Sequence, residues 1–429
     1  MSTRGFRVYS NGRWYPEVGL TYGAYDGTIY IEVPDGPYLL NTIYADGWMS
    51  WDQRVDRSFV DVAVRAGRPD AQAATNVPMQ MQLTNLAPWD GGSNELFFNC
   101  YGNGTEHRPI ELQAAIPAGA TELRGTLDWG STPSKAYDWL TKYQTRYLMD
   151  GGAGDTLTIS RTSHVSKGNL GVTRLTQIAR GPVNMQHDGE ASSFTGVFSD
   201  VPSTNNQQFT VDMPAIAAQL PDVNGWIVGL RRSPSSVAFD TFGPALVNVS
   251  PGRVDTAAVT FTESYGDPFD ANWRLVATGS YGSYVNSYVL PDGRSVYFGW
   301  SDYATELRHI EAGAGFTFGP TRAFVTSATL DGHELTGDIP WDGQSPLSFH
   351  VDVPDGEAGF VADVIWVPAG MIYPERWTTL RSQTADVVLP ADALQVGLDY
   401  FVRVATTNET ETSYSAAYKL LGPFRLVRQ

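Results

Sequence analysis

Four times along this chain an alternating apolar stretch runs into a proline and stops: at Val33-Pro34-Asp35-Gly36, Ile116-Pro117-Ala118-Gly119, Leu290-Pro291-Asp292-Gly293 and Val353-Pro354-Asp355-Gly356. Proline presets φ for the first corner of a tight turn and cannot continue a central ladder, while Asp and Gly suit the later corners. The stretches that lead into these turns, such as Thr28 to Val33 and Ser348 to Val353, have period 2, the pattern of half-buried strands. The copies are irregularly spaced, so this is repeated turn chemistry and not a solenoid or propeller period. With 43 Gly, 26 Pro and 12% aromatic residues, the composition also favours many short strands over long helices. The expectation is a mostly β chain of several antiparallel β-sandwich modules, with one or two short helices in the central region.

A chain of 429 residues exceeds one ordinary core, and three parts are expected. Residues 1–70 read as a β-sandwich, with strands at Thr28–Val33, Pro37–Tyr44 and Ser58–Val64. Gly67-Arg68-Pro69-Asp70-Ala71 reads as a linker into a central β-rich region, 71–320, of one or two subdomains. Its best helix candidate is 134–149, where Ser134 suits a cap and Tyr137, Leu140, Tyr143 and Tyr147 have helical spacing; Ala215–Leu220 is a shorter one. Residues 321–429 read as a further sandwich, with strands at Ser348–Val353, Gly359–Val367, Ala385–Leu389 and Leu394–Val404.

Within that last stretch, Leu394-x-x-Gly397-x-x-Tyr400-x-Val402-x-Val404 resembles the strand-F corner of fibronectin type III modules. The resemblance implies a Tyr400 hydroxyl that returns to the backbone beside the turn, and a buried strand-C tryptophan at Trp366. The wording Val33-Pro34-Asp35-Gly36-Pro37-Tyr38-Leu39-Leu40 is similar to prealbumin-like modules of secreted bacterial proteins, which implies a hairpin with a Tyr-bearing strand. Gly67–Ala71, Leu83-Thr84-Asn85-Leu86-Ala87-Pro88-Trp89 and Phe198–Pro202 resemble uncharacterised secreted proteins of gliding and predatory bacteria. That likeness implies an extracellular or cell-envelope location and carries no activity with it. Sandwiches of these kinds host many functions.

The net charge of −17 repels nucleic acid and anionic membrane surfaces, so neither is an expected partner. Neutral glycans, cationic peptides and divalent cations remain compatible, and the acidity also serves solubility. No run approaches the roughly 18 apolar residues of a membrane-spanning helix. Cys100 stands alone, which excludes an intrachain disulfide and a cysteine zinc cluster; beside Phe97, Phe98 and Tyr101 it reads as a small buried hydrophobe. Met1-Ser2-Thr3-Arg4-Gly5 has no leader-like apolar region, so the expected protein is either an exported one without its leader or a cytoplasmic one.

Motifs for known chemistries are missing. None of the six histidines lie one helical turn apart around a Glu, no Gly-x-Ser-x-Gly occurs, and no phosphate-cradling glycine loop precedes a Lys-Ser/Thr pair. Paired carboxylates for glycoside cleavage, such as Glu263 with Asp267 or Asp267 with Asp270, can be chosen only on proximity in sequence. A calcium site is a further expectation, since Asp150 and Asp155 bracket a Gly-rich turn, although solvated loop acids are the plainer reading of them. Aromatic residues are the most suggestive feature. Trp48 and Trp51 flank Met49-Ser50, Trp89 lies in a turn-rich stretch and reads as exposed, and Tyr284, Asn286 and Tyr288 share one strand face by period 2. Flat rings beside amides and carboxylates suit sugar rings, but sandwich cores contain the same residues. The sequence therefore points to a non-catalytic binder of a glycan or cell-surface ligand. The alternatives are a carbohydrate-active hydrolase and a self-associating subunit of an extracellular assembly.

Overall fold

The computed structural model describes residues 79–91, 93–100, 105–109, 115–127, 156–182, 192–233, 245–269, 273–285, 287–357, 359–368, 370–371, 374–410 and 412–429. Ahead of these it describes the strands Gly5–Ser10, Arg13–Tyr15, Tyr38–Ile43 and Met49–Arg54. The helix candidate at 134–149 lies outside the described residues. The second candidate forms as Met213–Gln219: Asp212 Oδ1 accepts from the Ala215 N–H at 3.2 Å, and Pro214 occupies the first turn, where no N–H is needed. Among the described residues everything else with regular structure is strand, as the alternation requires. The turn device also holds where it is described: Gly293 and Gly356 adopt φ of +84° and +86°, a conformation only glycine reaches without strain.

Among the described residues, 18 strands share one sheet, accompanied by four small sheets, one of them a two-stranded hairpin. Taken edge to edge, the large sheet's main run begins with Thr105–Pro109, Asn94–Cys100, Thr156–Lys167, Leu170–Pro182, Ala245–Pro251 and Gly225–Ser233. It continues through Arg274–Val285, Gly299–His309, Ser413–Arg428, Asp399–Glu409, Phe360–Trp366 and Glu375–Ser382. Beyond that, Met49–Arg54 pairs in parallel with Glu375–Ser382, and Tyr38–Ile43, Gly5–Ser10 and Arg13–Tyr15 follow.

Each of the three larger small sheets closes a core. Met79–Thr84 between Ser192–Val197 and Leu123–Leu127 covers Leu83, Leu157, Ile159 and Phe194. Asn205–Val211 between Val259–Tyr265 and Phe316–Phe318 covers Val228, Leu230, Val247 and Tyr281. Leu347–Val351 between Ala328–Leu330 and Asp386–Leu389 covers Leu380, Tyr400, Val402 and Val404. Among the described residues the 71–320 region thus holds two of these cores, and a third belongs to the C-terminal part. Burial of their aliphatic and aromatic side chains is the main stabilising term.

The last two cores lie on the same side of the large sheet, because Val402, Val404 and Ala417 occupy one face of paired strands. The 16-residue strand Ser413–Arg428 serves both: its first half pairs with Gly299–His309 and its second with Gly337–Trp341. On the opposite face the hairpin Tyr288–Val289/Ser295–Val296 folds over the C-terminal module and buries Leu290 and Val296 against Ile365, Val367 and Phe401. In the C-terminal module, the Gln395 N–H donates to the Tyr400 hydroxyl at 2.9 Å. Tyr400 is fully buried, and burial pushes its phenol up to about 12. Trp366, expected to be buried, is only half-buried. It sits at the rim of the core, edge-on to Trp377 with ring centroids 5.5 Å apart. Among the described residues no helix is long and apolar enough to cross a membrane.

Candidate functional site

The side of the large sheet that faces away from the cores carries its aromatic residues on a floor of glycines. Gly225 and Gly282 are register partners on neighbouring strands, and the Trp300 indole lies over both. A Cβ at Gly225 would stand 2.7 Å from the Trp300 ring, and one at Gly282 2.5 Å from it. Two missing side chains thus make the recess in which this ring rests on backbone. Trp300 pairs with Tyr284 across the strands, and their rings meet edge to face at 6.1 Å. Tyr284 is 51% exposed, and Ile227, two residues beyond Gly225 on the same face, is 38% exposed.

The position of Tyr284 is fixed by its backbone. A bulge between Gly282 and Tyr284 re-aims the strand end. Asn224 then grips it: its side-chain amide donates to the Tyr284 carbonyl at 3.0 Å, and its Oδ1 accepts from the Tyr284 N–H at 2.6 Å. Along the same face Ser280 donates to Thr305 at 3.0 Å, and the Tyr303 ring stacks on Tyr418 with centroids 4.5 Å apart. The Arg403 guanidinium lies over Tyr303 at 5.5 Å. Burial raises the phenols of Tyr414 and Tyr418, which share a 2.7 Å hydrogen bond. Two carboxylates border the shelf. Asp222 accepts from the Ser283 hydroxyl at 3.0 Å; Asp302 accepts from the Leu420 N–H at 3.0 Å, and burial pushes its carboxyl upward.

The residues singled out in the sequence scatter. Tyr284 belongs to the shelf, but Tyr288 does not share its face: the strand ends at Val285, and Tyr288 packs half-buried against Phe298 and Phe401, each with centroids at 5.5 Å. Trp89, read as exposed, is half-buried against the first core, with Arg161 over its ring at 5.8 Å. Its backbone is held at both ends, N–H to the Ala120 carbonyl at 3.0 Å and carbonyl to the Gly119 N–H at 2.7 Å. Trp51 occupies an interior strand position, opposite Asn41 on one side and Leu380 on the other. Trp48, Asn286, Asp150 and Asp155 lie outside the described residues, and the calcium expectation rests on the last two.

Glu263 and Asp267 are each held by arginine. Glu263 is buried and accepts from Arg174 and from Lys167 at 2.8 Å; Asp267 accepts from Arg232 Nε at 2.8 Å. Among the described residues no group of three His, Cys, Asp or Glu side chains is placed to hold a metal ion. A concavity of about 290 Å³ at Val353–Glu357, Gly359, Gln383 and Ala385 has no aromatic lining, and its Glu357 is tied to Arg322 at 2.8 Å.

Trp300, Gly225 and Gly282 escaped the sequence reading. Nothing local marks them, since the two glycines become neighbours only through strand pairing.

No family model matches the chain, and no curated protein matches it. Among solved structures it is similar to the fimbrial anchor protein Mfa2 from Porphyromonas gingivalis. The identity is 10%, covering 51% of this chain and 81% of that one, with a TM-score of 0.16. It is also similar to a candidate adhesin from Bacteroides thetaiotaomicron, at 9% identity over 52% of this chain and 78% of that one, with a TM-score of 0.12. Scores this low carry no argument about fold or role.

Proposed function

We propose that this is a non-catalytic binding protein of the cell envelope or extracellular space, whose shelf at Trp300 and Tyr284 takes a neutral glycan. The observation that carries the reading is the Trp300 ring, seated on two glycines and extended by an exposed Tyr284. A rigid ring held by backbone loses little freedom when a ligand stacks on it, which favours affinity from a small contact. Hydroxyls and the Asn224 and Asp222 side chains beside the rings supply polar partners, and the bordering carboxylates disfavour anionic sugars.

The modular framework is proposed with it. The C-terminal sandwich is fibronectin type III-like. In support, Ala328–Leu330, Leu347–Val351 and Asp386–Leu389 face the sheet Glu375–Ser382, Phe360–Trp366, Asp399–Glu409 and Ser413–Arg428, and Tyr400 bonds back to Gln395. Residues 1–70 are read as prealbumin-like on the Tyr38–Ile43 strand and its hairpin with Met49–Arg54.

Affinity electrophoresis through gels that hold a panel of neutral and acidic polysaccharides tests the reading, with release of reducing ends assayed alongside. Retardation by a neutral polymer, lost in Trp300→Ala and weakened in Tyr284→Ala, is expected. Retardation that survives Trp300→Ala would remove the shelf from the account. Release of reducing ends that is lost in Asp222→Asn or Asp302→Asn would replace a binder with a hydrolase.

A further inference from the structure

The first module joins the rest of the molecule in an unusual way. Among the described residues, the strands before residue 55 pair with later ones at a single place, where Met49, Ser50, Trp51 and Asp52 lie parallel to Thr378, Thr379, Leu380 and Arg381. Glu375–Ser382 is the outermost strand of the C-terminal sandwich, flanked within that module only by Phe360–Trp366. Its free side would present unpaired N–H and C=O groups, a template for another strand. Thr378, Thr379 and Leu380 are nevertheless at most 3% exposed. Leu380 is buried in the module's own core, but Thr379, on the other face, is buried where the docked strand runs alongside, and that strand comes from the far end of the sequence.

We infer that Glu375–Ser382 is a strand-acceptor edge, filled within one chain by Met49–Arg54, and that the Met49–Arg54 strand of a second copy fills it in trans. The second copy is the indicated partner because every chain carries both halves of the contact, donor and acceptor. Exchange of an identical element costs little, since the contacts made are those given up. The connection also allows it. Residues 55–78 separate Arg54 from Met79, and 24 residues of extended chain reach up to roughly 80 Å. Main-chain pairing supplies the affinity in such strand addition, and alternating side chains supply the choice of partner. This inference does not depend on the glycan shelf, which lies on other strands, and each can fail without the other.

The test uses the full chain in a Cys100→Ser background. Ser50→Cys and Thr379→Cys in one chain should form a disulfide within a monomer at low protein concentration, because the two positions are register partners. Its absence would overturn the docked arrangement itself. Two separate chains, one with Ser50→Cys and one with Thr379→Cys, are then mixed and oxidised at rising concentration. Position 379 is buried, so a disulfide between the two chains requires that its own first module has left. The expected result is a disulfide-linked dimer that grows with concentration and exceeds the dimer from Ser50→Cys mixed with Val388→Cys, a position 53% exposed on another strand. A dimer no stronger than that control at every concentration would overturn exchange between copies. The single-chain disulfide reports folding of both variants, so failure to fold is distinguishable from failure to exchange.

Discussion

Two joints in this molecule are built on different principles. Between the second and third cores, three features coincide: the shared strand Ser413–Arg428, the hairpin over Phe401, and a pinned linker. In the linker, Gln219 donates to the Arg322 carbonyl, Arg322 bonds Ser415 at 3.3 Å and Glu357 at 2.8 Å, and Thr406 donates to the Ala323 carbonyl at 2.7 Å. Among the described residues, the strands before residue 55 by contrast meet later ones only through a parallel ladder of four register pairs. One joint cannot open without dismantling a core, whereas the described pairing at the other is a short backbone ladder. The comparison teaches that continuity of a sheet does not imply equal strength along it.

The largest effect is expected at the strong joint. Phe401→Ala removes a fully buried ring that touches Tyr288 and Phe298, and it should cost about 3–5 kcal/mol in chemical denaturation. A loss below about 1 kcal/mol would mean that the hairpin is an ornament on the module. Arg294→Ala comes next. Its guanidinium bonds Asp292 at 2.6 Å and the Pro368 carbonyl at 3.0 Å, and lies 3.5 Å from the buried Asp399. Asp399 keeps Arg425 at 2.6 Å, so a cost of about 1–2 kcal/mol is expected, with new proteolytic cleavage between residues 288 and 298. Unchanged cleavage would show that apolar contacts alone hold the strap.

A smaller effect is expected at His350, on the solvent face of the C-terminal module. Its ring nitrogens lie 2.7 Å from Asp386 and 3.2 Å from Asp352, and the bond to Asp386 above all raises its pKa, against an opposing effect of burial. The extra stability is fully present below the unfolded value near 6.5 and is lost as pH rises through the folded value. The imidazole is 39% exposed, so only a few tenths of a kcal/mol are at stake. His350→Gln should flatten the denaturation midpoint against pH from 6 to 9; an unaltered slope would assign it to other groups. The smallest effect belongs to the weak joint. Ser50→Pro removes a ladder donor and should detach the first module, yet shift the main unfolding midpoint by less than about 0.5 kcal/mol equivalent. A large shift would mean that the two joints are equally strong.

Much of the strand content was legible because alternation is local. Asp386–Leu389 falls within the expected Ala385–Leu389, and Phe360–Trp366 within Gly359–Val367. The joints were not legible, since pairing of residue 50 with residue 379 leaves no local trace. At the shelf the period-2 rule failed for a stated reason. Tyr284 and Tyr288 lie four residues apart, but a bulge and the strand end at Val285 intervene, and the chain turns Tyr288 into a core. Trp89 misled for a similar reason: its turn-rich neighbours suggested solvent, while Arg161, 72 positions onward, lies over the ring.

The shared strand Ser413–Arg428 also decides how tension would travel through the molecule. A pull directed along it loads its ladders with Gly299–His309, Asp399–Glu409 and Gly337–Trp341 in shear, so their hydrogen bonds resist together. A pull at right angles opens them one at a time, as a zipper opens. The two cores on this strand therefore form a stiff bar along one axis, and the four-pair ladder at Met49–Arg54 is shorter than the ladders that hold the bar.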